Sequence, residues 1–195
     1  AYYALKKGLK VEWLLNYRGG SFMIDYDEAM VKECRIKGVS FESVAARDVL
    51  NIYRTIQENN MESILLEKAP KIGVYIPPNA EPWDDAVTLA LEYAEIPYDR
   101  IWDDEVLKGK LINYDWLHLH HEDFTGQYGK FWAQYRNVDW YKEEVRINEN
   151  MARKLGFKKV SRLKMAVVKE IKRYIEEGGF VFSMCSGTDS YDIAL

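Results

Sequence analysis

Apolar and polar positions fall in blocks along the chain, and the blocks change period. The runs Ile72-Gly73-Val74-Tyr75-Ile76 and Phe180-Val181-Phe182-Ser183-Met184 are nearly continuous, as expected of strands buried on both faces. Helical periodicity lies between them. Pro82 to Glu95 carries it and is broken at Pro97, and Leu163 to Glu177 carries it and closes on Gly178-Gly179. Tyr98 to Trp102 and Tyr114 to His120 read as further short strands. Such alternation predicts an α/β fold, a parallel sheet flanked by helices on both faces.

The opening third carries the same signals more weakly. Ala1 to Gly8 reads as the end of a helix, followed by an apolar run through Val11, Trp13, Leu14 and Leu15 and a turn at Arg18-Gly19-Gly20. Asp25 or Asp27 is placed to cap a helix running to Ile36 and stopped by Gly38. Val39 to Ala45 reads as a strand, and Asp48 to Asn60 as a helix with Val49, Ile52, Tyr53 and Ile56 on one face. The stretch from Tyr2-Tyr3-Ala4-Leu5 to Trp13 parallels the one from Leu91-Glu92-Tyr93-Ala94 to Trp102. Residues 1–68 are therefore expected to form an α/β segment with the look of a half-repeat, and residues 71–195 the main domain. Phe124 to Arg162 reads as an aromatic insertion, a loop followed by a helix from Lys142 to Leu155.

Composition narrows the classes. With 195 residues, 48% hydrophobic and 30% charged, the chain can bury a core without staples and is no candidate for disorder. A net charge of -4 with scattered Lys and Arg leaves no basic footprint for nucleic acid. Cys34 and Cys185 make no spacing motif, so neither a disulfide framework nor a cysteine zinc site is implied. No run approaches the roughly 18 apolar residues of a transmembrane helix. Oligomeric state is not set by any of these features.

Gly178 to Leu195 has the parts of a nucleophile elbow: an apolar strand, a sharp turn and a helix starting at once. Ser183 and Gly187 are the small neighbours on either side of Cys185, and Thr188 or Asp189 can cap a helix over Ser190 to Leu195. A thiol at the apex would sit at the positive end of that helix, which favours its thiolate. The competing reading makes Cys185 a small buried residue closing a strand.

Ser183-Met184-Cys185-Ser186-Gly187 after Tyr174-Ile175-Glu176-Glu177-Gly178-Gly179 resembles the cysteine elbow of class I glutamine amidotransferases. The resemblance covers about Lys71 to Leu195 and implies a flavodoxin-like fold, with Cys185 as nucleophile and the Ser186 N–H as an oxyanion donor. Gly187 and Thr188 would face the ligand. Those enzymes usually have glycine where Ser183 stands, and they take their His and acid from far downstream of the cysteine. This chain alone would then be inert, its base lying beyond Leu195.

Across most of its length the chain is similar to a bacterial family often labelled asparagine synthetase B. The matching segments are Trp13-Leu14-Leu15-Asn16-Tyr17-Arg18-Gly19-Gly20-Ser21-Phe22, His118 through Phe131, and the elbow with Asp189-Ser190. Members of that family suggest export to the periplasm or cell envelope. The ATP chemistry of enzymes bearing that name needs an N-terminal cysteine and an SGG-type phosphate loop, neither of which is present here. No cofactor is expected. The substrate implied is a small-molecule amide or acyl compound, and a non-catalytic ligand-binding or scaffold module is the alternative.

All three histidines fall in His118-Leu119-His120-His121-Glu122-Asp123, at the carboxyl end of an expected strand, where parallel α/β sheets bind ligands. Strand alternation places His118 and His120 on one face. His120, His121 and Glu122 are candidates to serve or orient Cys185, and Asp123 to line the site. Imidazoles beside a carboxylate also suit a metal, although the spacing assigns none. In the plainest reading His118 is a satisfied core residue. Arg18, Gly19 and Gly20 could cradle an anion with backbone N–H groups and a guanidinium, or be a plain turn. Trp83-Asp84-Asp85 and Trp102-Asp103-Asp104 read as helix-start and loop carboxylates.

Overall fold

The computed structural model describes residues 1–195, with Gly129 and Lys130 described by their backbone alone. The chain divides into two compact units, Ala1–Ala69 and Pro70–Leu195.

Unit 1 runs α1 (Tyr2–Lys6), β1 (Val11–Leu15), β2 (Ser21–Ile24), α2 (Glu28–Ile36), α3 (Ala46–Glu58) and β3 (Glu62–Leu66). Its three strands lie in the order β2-β1-β3, antiparallel throughout, with Trp13 opposite both Phe22 and Ile64. The strand–helix alternation expected of a parallel sheet is therefore overturned here. Tyr17 to Gly20 is the connection of a β1–β2 hairpin, with positive φ at Arg18, Gly19 and Gly20. The strand expected at Val39 to Ala45 is absent: those residues are irregular, with Val39, Phe41 and Val44 exposed. β3 occupies the edge of β1 that such a strand would have needed. The helices follow the sequence more closely. Asp27 caps α2 by accepting from the Met30 N–H at 2.7 Å, and Ala4, Val11 and Met30 form a small core.

Unit 2 runs β4 (Ile72–Tyr75), α4 (Ala86–Tyr93), β5 (Tyr98–Ile101), α5 (Asp103–Leu107), β6 (Trp116–Leu119), α6 (Gly129–Tyr135), α7 (Asp139–Lys154), α8 (Val160–Glu176), β7 (Phe180–Ser183) and α9 (Cys185–Ala194). The four strands are parallel in the order β5-β4-β6-β7, so this unit is the α/β sheet the periodicity implies. From β4 the chain moves first to one side, to β5, and then to the other, to β6. The carboxyl ends of β4 and β6 thus flank a crevice of the kind where open α/β sheets bind ligands.

Side chains alternate between the two faces of this sheet. Tyr75, Ile101, Leu117 and Leu119 join Val106, Phe124 and the α8 stripe Leu163, Val167, Val168 and Ile171 in the main core. Ile72, Val74 and Ile76 pack with Leu91 of α4 on the other face. That second face is covered over β4 but not over β7, where Phe180, Phe182 and Met184 are exposed. Among the described residues no helix is long and apolar enough to cross a membrane.

Candidate active site at the carboxyl edge of the parallel sheet

β7 ends at Ser183, Met184 is extended, and α9 begins directly at Cys185. Cys185 has φ +51, a left-handed conformation rare outside glycine and costly unless the surroundings enforce it. The enforcing contacts run to the histidine loop. The Met184 N–H donates to the Leu119 carbonyl at 2.9 Å and the Gly187 N–H to the His120 carbonyl at 2.7 Å. Ser186 Oγ donates to the His121 carbonyl at 2.9 Å, and Ser190 Oγ to the Glu122 carbonyl at 2.6 Å. Elbow and loop form one unit.

Within it the expected residues take unequal places. Cys185 is exposed at the first turn of α9, where Ser186 has no carbonyl within the helix for its own N–H. Gly187 is a packing position: a Cβ there would stand 2.7 Å from the His120 oxygen, and its N–H is already taken. Thr188 Oγ1 donates to Ser183 Oγ at 3.2 Å. The helix does not wait for a cap at Thr188 or Asp189, as expected; it starts earlier, with Met184 as N-cap and no side chain capping it. Arg18, Gly19 and Gly20 lie in unit 1, and the Arg18 guanidinium is paired with Glu42 at 2.5 Å.

Asp85, which the sequence marks as no more than a helix-start or loop carboxylate, has the most consequential place. Asp85 is the N-cap of α4, its Oδ1 accepting from the Val87 N–H at 2.7 Å and the Thr88 N–H at 3.3 Å. Its Oδ2 is left to face the histidines. His120 Nδ1 donates to Asp85, which fixes the tautomer, and His121 Nε2 stands 3.6 Å from the same Oδ2. The two imidazoles stack with ring centroids 3.5 Å apart. Burial pushes the Asp85 carboxyl up, but the hydrogen bonds from His120, Val87 and Thr88 outweigh it and hold it below the usual range. One carboxylate oxygen and two imidazole nitrogens, all within 4.8 Å of one another, could hold a metal ion.

Around this pair His118 is buried, while Glu122 and Asp123 are half-buried. Burial lowers His118 to about 4, helped by the neighbouring His120, and the same two causes lower His121. His118 is in the core, stacked on Phe182, yet neither of its ring nitrogens finds a hydrogen-bond partner. The reading of it as a satisfied core residue is half right. Glu122 is raised to about 7 by burial, although the His120 N–H donates to its Oε2 at 2.8 Å. Asp123 turns away to close the loop, accepting from the Thr125 N–H at 2.9 Å and the Tyr128 N–H at 3.4 Å.

A further cluster was not expected. Lys164, in the apolar stripe of α8, reaches both oxygens of Asp103 at 2.9 and 3.0 Å and the Tyr75 hydroxyl at 3.0 Å, and lies 3.9 Å from the Trp102 ring centroid. A cleft of about 400 Å³ lined by Tyr128, Glu149, Arg153, Lys158 and Ser161 lies elsewhere, at the start of α8, and contains none of the expected site residues.

No family model matches the chain, and no curated protein or solved structure matches it significantly. The class of protein must come from the geometry.

Proposed function

We propose that unit 2 is a cysteine-dependent amidohydrolase or amidotransferase domain of the class I glutamine-amidotransferase type, acting on a small-molecule amide. What carries this reading is the positive-φ Cys185 at the start of α9, locked by hydrogen bonds to a loop bearing paired histidines. A strained residue at a strand-to-helix turn is characteristic of a nucleophile held up for attack. The strand order supports it: numbered within unit 2 it runs second, first, third, fourth, matching the start of the flavodoxin-like order.

In this scheme the Cys185 thiol gives its proton to the His120–His121 pair, in contact or through one water. Asp85 orients the pair and stabilises the imidazolium, so in this scheme His120 and His121 supply the base. The thiolate attacks the amide carbonyl, forming a C–S bond, and the oxyanion meets the Ser186 N–H. The C–N bond then breaks as nitrogen takes the proton from the imidazolium and leaves as ammonia. Water cleaves the thioester, releasing the acid and restoring the thiol. Glu122 fixes the loop through the His120 N–H and is a positioning residue.

The test is ammonia release from glutamine and other small primary amides by the wild type, Cys185→Ser and Asp85→Asn. Turnover lost in C185S and reduced about 10²-fold or more in D85N supports the scheme, that factor being the low end for general-base catalysis. Turnover unchanged in C185S, or absent from the wild type on all amides, overturns it in favour of a non-catalytic ligand-binding module.

A further inference from the structure

We propose that Asp85, His120 and His121 form a binding site for a divalent transition-metal ion of the zinc type. The donors are Asp85 Oδ2, His120 Nδ1 and His121 Nε2. A tetrahedral zinc with bonds of about 2.0–2.1 Å holds its ligand atoms roughly 3.3–3.4 Å apart. His121 Nε2 and Asp85 Oδ2, 3.6 Å apart, already have nearly that spacing. Asp85 and His120 are closer, joined by a hydrogen bond, and the ion would take the place of the proton between them.

The surroundings fit this use. Asp85 Oδ1 is occupied by two backbone amides of α4, which orients the carboxylate and leaves Oδ2 toward the imidazoles. The His120 backbone is fixed by Glu122. His121 has a side chain 56% exposed, so it can swing from its stack on His120 to aim Nε2 at the ion without disturbing the core. The same exposure leaves a fourth position to water, the arrangement of open zinc sites. Two imidazoles and one carboxylate favour zinc and its neighbours over magnesium or calcium, which require mostly oxygen ligands. Asp85 comes from the start of α4, which follows β4, and the two histidines from the residues just past β6, at the crevice where the sheet reverses its strand order.

An ion on His120 Nδ1 leaves that ring's proton on Nε2 and also occupies His121 Nε2, so neither imidazole can accept the thiol proton, and zinc and base catalysis exclude one another. The site itself does not rest on the cysteine chemistry. The experiment uses the full chain, stripped with chelator and titrated with zinc at pH 7 against a chromophoric chelator, and in parallel with cobalt(II) followed by its visible absorption. The expected result is one equivalent bound with a four-coordinate cobalt spectrum. Affinity should fall at least about tenfold in His121→Ala, a surface change, and in Asp85→Asn, which keeps the helix cap, and be unchanged in Cys185→Ser. No stoichiometric binding, binding undiminished in H121A and D85N, or binding lost in C185S would overturn the assignment. Metal binding with C185S-insensitive amide turnover would sink the cysteine scheme and leave this site standing.

Discussion

Asp103 and Asp85 stand at the starts of two helices of unit 2, and their carboxylates meet opposite surroundings. Asp103 is wholly buried: Lys164 bonds both its oxygens, the Tyr75 hydroxyl donates to it, and the Trp102 ring lies under the ammonium. Asp85 is also largely covered, but one of its two imidazole partners is more than half exposed. The first cluster is closed, with a partner of opposite charge, and it ties α5 and α8 to the centre of the core. The second is open on one side, so only it can meet a substrate or an ion. Burial with complete pairing marks a structural ion pair; burial with one side left toward solvent marks a site.

Breaking the closed cluster should have the largest effect. Lys164→Met leaves the Asp103 carboxylate in the core without its cation, and should cost about 3–5 kcal/mol of stability in denaturant unfolding. K164M/D103L, which removes both charges, should recover most of that loss. If K164M alone is as stable as the wild type, the closed cluster is not the ion pair described here.

Around the open cluster the effects are smaller and depend on pH in opposite directions. Glu122 is ordinarily at 4.5 and stands at about 7 when folded, so the native state keeps a proton that the unfolded chain has lost. Its contribution is fully present below pH 4.5 and is lost as pH rises through 7, at most about 3–4 kcal/mol at 1.36 kcal/mol per unit. Glu122→Gln should flatten that decline. His118 moves the other way, from 6.5 to about 4, so its contribution is fully present above pH 6.5 and is lost as pH falls through 4. His118→Phe should remove this acid-side loss. It should also be neutral or stabilising at pH 7, because the ring nitrogens it deletes have no partners. Unfolding midpoints of the wild type and both variants between pH 4 and 8 check the pair, and parallel curves for all three would refute it.

Much of unit 2 was legible because its signals are local. β4 and β7 are unbroken apolar runs, α8 has a clean apolar stripe, and the small residues beside Cys185 announce the elbow. The residues that were missed depend on distant partners. Asp85 meets His120 across 35 residues, and Lys164 meets Asp103 across 61. A lysine inside the stripe Leu163, Val167, Val168, Ile171 was the available signal that a buried anion had to exist. In unit 1 the short strands Ser21–Ile24 and Glu62–Leu66 are half-exposed and carry no clean alternation, while Val39 to Ala45 carries apolar residues that never pair. Pairing direction is a property of two segments together, so the antiparallel sheet could not be read from either alone.

The central claim, that the Cys185 elbow and the Asp85–histidine cluster act as one site, is tested most directly by iodoacetamide alkylation at pH 7 with peptide mapping, in the wild type and D85N. Cys185 is exposed and Cys34 half-buried, so faster labelling of Cys185 alone would reflect access. The account predicts more: Cys185 should react at least about tenfold faster than Cys34, and D85N, by disorienting the base, should slow Cys185 severalfold while leaving Cys34 unchanged. Equal rates at the two cysteines, or a Cys185 rate indifferent to D85N, would contradict it.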